Sequence, residues 1–325
     1  MEAVTLLKPS ENDAAEIWHR LQTEAFAPYL KHDSKEAAPT ADGAQAISAQ
    51  MQDPLWRHFY IMRSGSPVGG ISVYQWKGTK RYTLGSIFVT PPNQKKNIGA
   101  LALQEAEKLF VDAKYWELVV PSHEPKILDF FKKSGYREFV GKDAINDASS
   151  VVIFKKHMPF ETERLVMRPF LPEDWQGMLA CDIQPFEKAR KSEENAKSEA
   201  LRLSSRLEHF AIIFKETGDL SGCLFLSDHL YQFGVRCSMD QGRTALTTEA
   251  LEVVLDRLFD DFNAPEVFAE PGSDKQQDWM YLMSMGFSWE TERHKWFSTA
   301  VKKRNYHISA SDWMKNKQTR ASKEQ

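Results

Sequence analysis

The sequence predicts an α/β (α+β) protein made of two tandem copies of one domain. Its 325 residues are more than one ordinary domain needs, and two domains of about 150 residues are the expectation for that length. Hydrophobic residues make up 42% and charged residues 27%, a composition typical of globular proteins. Three local patterns occur twice in the same order, and repetition at a nearly fixed spacing indicates repeated structural units.

Each repeated pattern is a local structural signal. The first is a strand ending in a basic residue and proline, the second a β-hairpin with glycine at its turn, and the third a helix stopped by glycine before a strand. The offsets between the copies are 160, 153 and 151 residues. The pairs are Lys8-Pro9 with Arg168-Pro169, Gly65 with Gly218, and Gly135 with Gly286. Each copy is predicted to run strand, one or two helices, hairpin, strand, helix, strand, helix, strand.

The junction between the copies is the segment KKHMPFETERL, around residues 157 to 163. The predicted domains are therefore residues 1–157 and residues 158–301. A polar C-terminal tail, residues 302–325, follows them.

Several function classes are disfavoured by composition. The net charge is −3, so bulk charge does not favour nucleic acid or a membrane surface as a partner. The three cysteines lie in the second half without metal-ligand spacing, and the scattered histidines predict no metal site. The start of the chain lacks the apolar core of a signal peptide, and no run of 18 apolar residues occurs. A cytoplasmic protein with free thiols is expected, and its oligomeric state stays open.

The segment PPNQKKNIGALAL, residues 91–103, has the character of a phosphate-binding loop. It follows a predicted strand and opens a predicted helix, where free backbone N–H groups and the positive end of the helix dipole favour anions. Lys95 and Lys96 add positive charge. The loop lacks the glycine spacing of a P-loop and of a dinucleotide-binding fingerprint.

The longer segment IFVTPPNQKKNIGALALQEAEKLF resembles the acetyl-CoA motif of the GNAT superfamily of N-acetyltransferases. That motif is a strand ending near V-x-P, followed by Q/R-x-x-G-x-G/A at a helix start. Here it is Gln94 to Ala100, and Asn97 replaces the first glycine. Asparagine tolerates left-handed backbone better than most residues, so the loop shape is expected to persist. YWELVV and FFKKSGY extend the resemblance over roughly residues 1–157.

The resemblance implies a mixed, mostly antiparallel sheet flanked by helices in each domain, with acetyl-CoA as cosubstrate and no metal. YWELVV would be the strand that splays from its neighbour so that the pantetheine arm can enter. A backbone N–H near Phe88-Val89 would polarise the thioester carbonyl. The residues expected to bind acetyl-CoA are Phe88, Val89, Gln94, Lys95, Lys96, Asn97, Ile98, Gly99 and Ala100.

The second half resembles another GNAT branch, the ribosomal-protein and other protein N-terminal acetyltransferases. TERLVMRPFLPEDW, TTEALEVVLDRLF and MSMGFSWE carry this resemblance. In its cofactor loop Ala245 stands at the glycine position and Gly242 at the usual Gln/Arg position. We therefore expect a degenerate second domain with weak or no cofactor binding.

Catalytic candidates come from PSHEP, just after the predicted strand at 115–120. Glu124 and His123 are the candidate bases, and the resemblance ranks Glu124 first; the alternative is that both are ordinary surface residues. The tyrosine that many GNAT enzymes use as an acid corresponds to Phe131, predicted to face the sulfur end of the pantetheine tunnel. In the second half it corresponds to Leu282.

Two functions stay open at this point. One is an N-acetyltransferase acting on a small-molecule or peptide amine. The other is a non-catalytic tandem module that binds coenzyme A or a protein partner.

Overall fold

A computed structural model describes residues 3–10, 12–27, 43–122, 124–139, 151–229, 232–240, 246–270, 276–290 and 305–321. These residues form two compact units. One unit takes in the described residues up to Tyr136 and residues 151–156; the other takes in residues 137–139 and the described residues from His157 onward.

The first sheet has seven strands in the order β1-β2-β3-β4-β5-β7-β6. Strands β1 to β4 pair antiparallel in sequence order, and β4 pairs parallel with β5. The elements are β1 (Val4–Leu7), α1 (Ala14–Phe26), α2 (Ala44–Gln52), β2 (Trp56–Arg63), β3 (Ser66–Gln75), β4 (Arg81–Val89), α3 (Ile98–Leu109), β5 (Tyr115–Pro121), α4 (Pro125–Lys133), β6 (Arg137–Phe139) and β7 (Val151–His157).

The second sheet has eight strands in the order β8-β9-β10-β11-β12-β13-β15-β14. Without β8, this order repeats that of the first sheet strand for strand. The elements are β8 (Phe160–Glu161), β9 (Leu165–Pro169), α5 (Trp175–Ala180), α6 (Glu193–Ser204), β10 (His209–Phe214), β11 (Leu220–His229), β12 (Gln232–Met239), α7 (Thr247–Asp256), β13 (Glu266–Ala269), α8 (Gln276–Ser284), β14 (Ser288–Glu290), β15 (Asn305–Ser309) and α9 (Ala310–Ala321).

These two mixed, mostly antiparallel sheets with flanking helices confirm the predicted fold class. The repeated glycines occupy equivalent backbone conformations. At the hairpin turns Gly65 has φ +77° and Gly218 has φ +75°, while Gly135 and Gly286 end helices at φ +87° and +94°. Only glycine adopts positive φ at little energetic cost. This explains why glycine occurs at the same positions in both copies of the repeat.

Part of the segment predicted as a polar tail belongs to the second unit. Strand β15 pairs antiparallel with both β13 and β14. Its Tyr306 and Ile308 alternate inward, and Trp313 on α9 is 1% exposed. Two inward residues in a polar segment are a weak strand signal, so the sequence did not reveal this strand. The domain boundaries themselves stay a prediction.

The core under α1 determines how that helix lies on the first sheet. Trp18 is 2% exposed and packs its ring edge-on against Phe88 of β4, with 5.3 Å between ring centroids. It also packs against His58 of β2 at 4.9 Å. The Tyr60 hydroxyl donates a hydrogen bond to the Ala14 carbonyl at 3.2 Å. This face of the sheet is therefore closed over β2 and the end of β4.

The buried His58 is expected to make folding pH-dependent. Burial lowers the pKa of His58 to about 4, from an ordinary value of about 6.5. Below pH ~6.5 the His58 imidazole binds a proton in the unfolded chain, whereas in the folded chain it stays neutral down to about pH 4. The free energy of unfolding should therefore fall as the pH is lowered from about 6.5 to about 4. Urea denaturation at several pH values measures this, and His58→Phe should reduce the fall; an equal fall in both proteins would contradict the account.

Candidate active site

Strands β4 and β5 part from each other in the first unit. They pair only at their beginnings, Arg81–Thr83 with Tyr115–Glu117. β4 continues to Val89 and β5 to Pro121, with no further pairing between them in the described ladder. Because the strands are parallel, the gap opens toward their carboxyl ends. The predicted splay of the strand at 115–120 is thus confirmed.

A β-bulge in β4 lies where the strands part. Ser72 of β3 pairs with Ser86 and Val73 pairs with Leu84, so Gly85 is an extra residue on β4. A Cβ atom on Gly85 would lie 2.4 Å from the Trp56 ring. Only glycine, which has no Cβ, avoids this clash. Bulges bend a strand and increase its twist, and this one accounts for the departure of β4 from β5. The sequence analysis missed it, although an isolated glycine inside a strand pattern is a signal for a bulge.

Successive backbone N–H groups along β4 point to opposite sides of the strand, so Phe88 and Val89 direct theirs differently. The Thr90 N–H donates to the Val68 carbonyl at 2.9 Å, so Thr90 and, two residues earlier, Phe88 direct their backbone groups toward β3. Val89, between them, directs its backbone N–H and carbonyl groups to the opposite side, toward the gap. The Val89 carbonyl accepts a hydrogen bond from Gln94 Nε2 at 2.8 Å. Of the predicted pair, Val89 is therefore the residue whose N–H points into the gap. Phe88 contributes its ring to the core.

The loop after β4 forms a cradle of backbone donors. Lys95 has φ +61° and Asn97 has φ +60°, so both adopt left-handed backbone. Helix α3 begins at Ile98. Among the described residues, no acceptor is recorded for the backbone N–H groups of residues 95–100. The expectation that Asn97 preserves the left-handed turn is met by this conformation.

The side chains of the cradle have separate roles. Lys95 and Lys96 are exposed, and Lys96 Nζ donates to the Pro92 carbonyl at 2.8 Å. Ile98 is 3% exposed and anchors α3 in the core, so it offers only its backbone N–H. A Cβ on Gly99 would lie 3.6 Å from the Phe130 ring, an ordinary contact distance. The protein itself would therefore accept a side chain at Gly99, and Ala100 follows in the first turn of the helix.

The Asn97 side chain stands where the family motif has none. We expect Asn97→Gly to leave stability nearly unchanged and to tighten acetyl-CoA binding a few-fold, because glycine keeps the left-handed turn and removes the crowding amide. Asn97→Val should instead cost about 1–2 kcal/mol, since a β-branched residue is strained at this φ. Thermal unfolding and calorimetric titration measure both effects. Weaker binding by the glycine variant would show that the amide contacts the ligand.

The candidate base Glu124 is the N-cap residue of α4 and follows the carboxyl end of β5. Its carbonyl accepts hydrogen bonds from the N–H groups of Ile127 at 3.0 Å and Leu128 at 3.1 Å. Its carboxylate is half-buried and has no recorded partner among the described residues. Parallel pairing puts the ends of β4 and β5 at the same edge of the sheet, so Glu124 lies at the edge where the gap opens. His123 lies outside the described residues.

Phe131 is a core residue. It is 3% exposed, and its ring packs against Phe130, Tyr136 and Phe154 with centroid distances of 4.8, 5.7 and 6.1 Å. That its ring also faces the sulfur end of the pantetheine tunnel stays a prediction.

The second unit repeats the parting of strands. β12 pairs parallel with β13 only over Phe233–Val235, and β12 then continues to Met239. The loop predicted to be degenerate contains Gly242 and Ala245, which lie outside the described residues. Its weak or absent cofactor binding stays a prediction.

Two absences concern the described part of the chain. No group of three or more His, Cys, Asp or Glu side chains there could hold a metal ion. No described helix is long and apolar enough to cross a membrane.

The first unit matches a known protein family. Residues 15–136 match the model of the acetyltransferase (GNAT) family. No curated protein matches the chain.

Several solved structures resemble about half of the chain. An acetyltransferase from Thermus thermophilus has 19% identity and a TM-score of 0.41, over 49% of this chain and 100% of that one. The PaiA N-acetyltransferase of Thermoplasma acidophilum, in complex with coenzyme A, has 18% identity and a TM-score of 0.40, over 48% and 99%. A putative ribosomal-protein-serine acetyltransferase from Vibrio cholerae has 12% identity and a TM-score of 0.40, over 47% and 97%.

The family match covers the parted strands, the donor cradle and helix α4. The enzyme class expected from the sequence, an acetyltransferase, is the class of the matched family. Residues 15–136, less than half of this chain, are therefore similar to the GNAT acetyltransferase family.

Proposed function

We propose that the chain is an acetyl-CoA-dependent N-acetyltransferase whose first unit binds acetyl-CoA and whose acceptor is a small-molecule or peptide amine. The cradle at residues 95–100, next to the gap between β4 and β5, is the observation that carries this proposal. An anion-binding helix start and an open slot between strands suit the two parts of coenzyme A, its pyrophosphate and its pantetheine arm.

The cradle would bind the pyrophosphate through backbone donors. The residues proposed to do so are Lys95, Lys96, Asn97, Ile98, Gly99 and Ala100. The left-handed residues Lys95 and Asn97 turn the chain so that successive N–H groups have no recorded acceptor within the described parts of the chain. Gln94 fixes the loop to the end of β4 through its bond to the Val89 carbonyl.

The gap would hold the thioester at the end of β4. The Val89 N–H would donate to the thioester oxygen and stabilise the negative charge that develops there. The acceptor nitrogen attacks the carbonyl carbon, the carbon–sulfur bond breaks, and coenzyme A leaves as the thiolate. Glu124 would accept the proton that the amine loses, and such acid–base help contributes roughly 10²–10⁴-fold in rate. Holding both reactants in place contributes about 7–11 kcal/mol more.

The second unit is proposed to be a degenerate domain with weak or no cofactor binding. Ala245 and Gly242 stand where the family motif has its glycine and its Gln or Arg. The proposed boundary between the domains 1–157 and 158–301 lies at residue 157, and the predicted tail 302–325 contains strand β15, which pairs within the second sheet.

A non-catalytic module that binds coenzyme A or a protein partner is the second candidate. The observation in its favour is the absence of the usual tyrosine acid. Phe131 and Leu282 occupy the two corresponding positions, and both are buried at 3% and 1% exposure.

Release of free thiol from acetyl-CoA separates the two candidates. The chain is incubated with acetyl-CoA and a panel of primary amines and peptides with free N-termini. An enzyme releases coenzyme A faster with at least one acceptor than without any. Binding of acetyl-CoA with no release across the panel would favour the non-catalytic module.

A further inference from the structure

Part of one face of the first sheet lies open at the centre of the sheet. Direct pairing puts one side chain from each of β2, β3, β4 and β5 in a single row on this face: Trp56, Tyr74, Thr83 and Glu117. Val119, two residues further along β5, lies on the same face. It is 58% exposed, although β5 is an interior strand. An exposed apolar side chain on an interior strand indicates that the described residues leave this face uncovered.

Three aromatic rings line the open face, and we call Trp56, Tyr74 and Trp76 the aromatic strip. The centroids of the Trp56 and Tyr74 rings lie 5.3 Å apart. Those of the Tyr74 and Trp76 rings lie 5.9 Å apart, with the two rings nearly perpendicular at 77°. Trp56 and Tyr74 are half-buried, whereas Trp76 is 39% exposed. The strip therefore presents both ring faces and ring edges to a ligand.

The exposed ring of the aromatic strip is held in one orientation. Trp76 Nε1 donates hydrogen bonds to Thr83 Oγ1 at 3.0 Å and to Glu117 Oε1 at 3.1 Å. The Arg81 guanidinium lies over the Trp76 ring, 5.5 Å from its centroid. A fixed aromatic surface loses less conformational entropy when a ligand binds than a mobile one does. The strip is thus preorganised for binding.

The aromatic strip begins where β4 and β5 part. Pairing of these strands ends at Thr83 and Glu117, and the bulge residue Gly85 follows on β4. Gly85 is exposed, and a Cβ atom there would lie 2.4 Å from the Trp56 ring. The Trp56 ring therefore lies against the beginning of the gap, next to the slot proposed for the pantetheine arm.

The position of the proposed thioester site sets the length of a ligand that reaches both places. Gly85 precedes Val89 by four residues. A strand rises about 3.3 Å per residue, so the two residues lie roughly 13 Å apart. A ligand contacts the Trp56 ring at about 4 Å, so a ligand ring on the strip would lie roughly 10 Å from a nitrogen that reacts beside Val89.

We propose that the aromatic strip binds the acceptor, and that the acceptor is a small-molecule amine with an aromatic ring roughly 10 Å from its reacting nitrogen. The inference rests on the function proposed above and narrows its acceptor class. Face and edge contacts with Tyr74 and Trp76 favour an aromatic ring over a saturated ring of the same size. Val119 supplies an apolar contact on β5. The acetyl group passes to the acceptor nitrogen as described above, with coenzyme A leaving as the thiolate and the proton going to Glu124.

Three amines test the proposal on the full chain: 6-phenylhexylamine, 6-cyclohexylhexylamine and 2-phenylethylamine. The first two differ in the aromatic character of the ring, and the third is too short to span the distance. Calorimetric titration with coenzyme A present gives the affinity for each amine without turnover, and thiol release from acetyl-CoA gives kcat and KM. 6-Phenylhexylamine should bind about 3- to 10-fold more tightly than its cyclohexyl analogue. Burial of apolar surface alone would favour the cyclohexyl amine, whose ring presents the larger apolar surface.

Variants of Trp76 assign the preference to the aromatic strip. Trp76→Leu should cancel the preference for the phenyl over the cyclohexyl amine, while KM for acetyl-CoA stays nearly constant. Trp76→Phe keeps a ring and should retain part of the preference. Trp289→Leu is the matched control, because Trp289 is a tryptophan of the second unit that is 50% exposed. This control should bind all three amines as the parent does.

The outcomes separate the acceptor class from the proposed function. Equal binding of the phenyl and cyclohexyl amines, equal binding of the long and short phenyl amines, or no binding at millimolar concentration would overturn the acceptor class. Equal losses in Trp76→Leu and Trp289→Leu would also overturn it. An aromatic preference in binding without thiol release from any amine would support the strip and contradict acetyl transfer. Thiol release with other amines and no aromatic preference would support acetyl transfer and contradict the strip.

Discussion

Replacing Gly99 with glutamate is expected to abolish acetyl-CoA binding to the first unit. The new side chain would fill the cradle and place a negative charge beside the pyrophosphate. A juxtaposition of like charges costs several kcal/mol, which corresponds to roughly a 100-fold or greater loss of affinity. The protein should still fold, because a Cβ at this position meets only the Phe130 ring at 3.6 Å. An acidic residue also stabilises the first turn of a helix. Calorimetric titration measures the affinity and thermal unfolding the stability.

Gly43→Glu is a matched control within the same unit. Gly43 is the N-cap residue of α2, and a Cβ there would meet nothing within 4 Å. The substitution adds the same charge at another helix start and should leave acetyl-CoA binding unchanged. Similar losses in both variants would show that general charge, rather than the cradle, determines binding.

The largest expected effect on turnover is that of Glu124→Gln. The amide keeps the shape of the side chain and cannot accept the proton of the amine. We expect kcat to fall about 100-fold or more, with acetyl-CoA affinity nearly constant, since the proposed mechanism puts Glu124 beside the acceptor amine and not beside the pyrophosphate. Steady-state kinetics and calorimetric titration give the two quantities.

His123→Gln tests the neighbouring candidate in the same way. If Glu124 is the base, this variant should retain most of the turnover. The reverse outcome, a large loss for His123→Gln and a small one for Glu124→Gln, would assign the base to His123. No loss in either variant would remove both residues from the mechanism.

Much of the fold could be predicted from the sequence because its turns depend on glycine. Gly65, Gly135, Gly218 and Gly286 all have positive φ, and such positions leave a clear mark in a sequence. Strand β15 has no comparable sequence signal, because its few buried side chains lie in a polar segment. Its pairing depends on β13, which is far away in the sequence.

The candidate site likewise has features that the local sequence predicts and features that depend on contacts between strands. The left-handed turn at Asn97 followed from the local motif, because its backbone preference is a property of the residue itself. The bulge at Gly85 depends on the register of β4 against β3, and register is set by contacts between strands. The distinction between Phe88 and Val89 depends on that same register, so the sequence could name both residues but not choose between them.

Calorimetric titration of the whole chain with acetyl-CoA tests the central claim most directly. The account predicts one acetyl-CoA site per chain, lost in Gly99→Glu and kept in Gly43→Glu. Absence of binding at millimolar acetyl-CoA would contradict the role of the first unit, and two equal sites per chain would contradict the degenerate second unit.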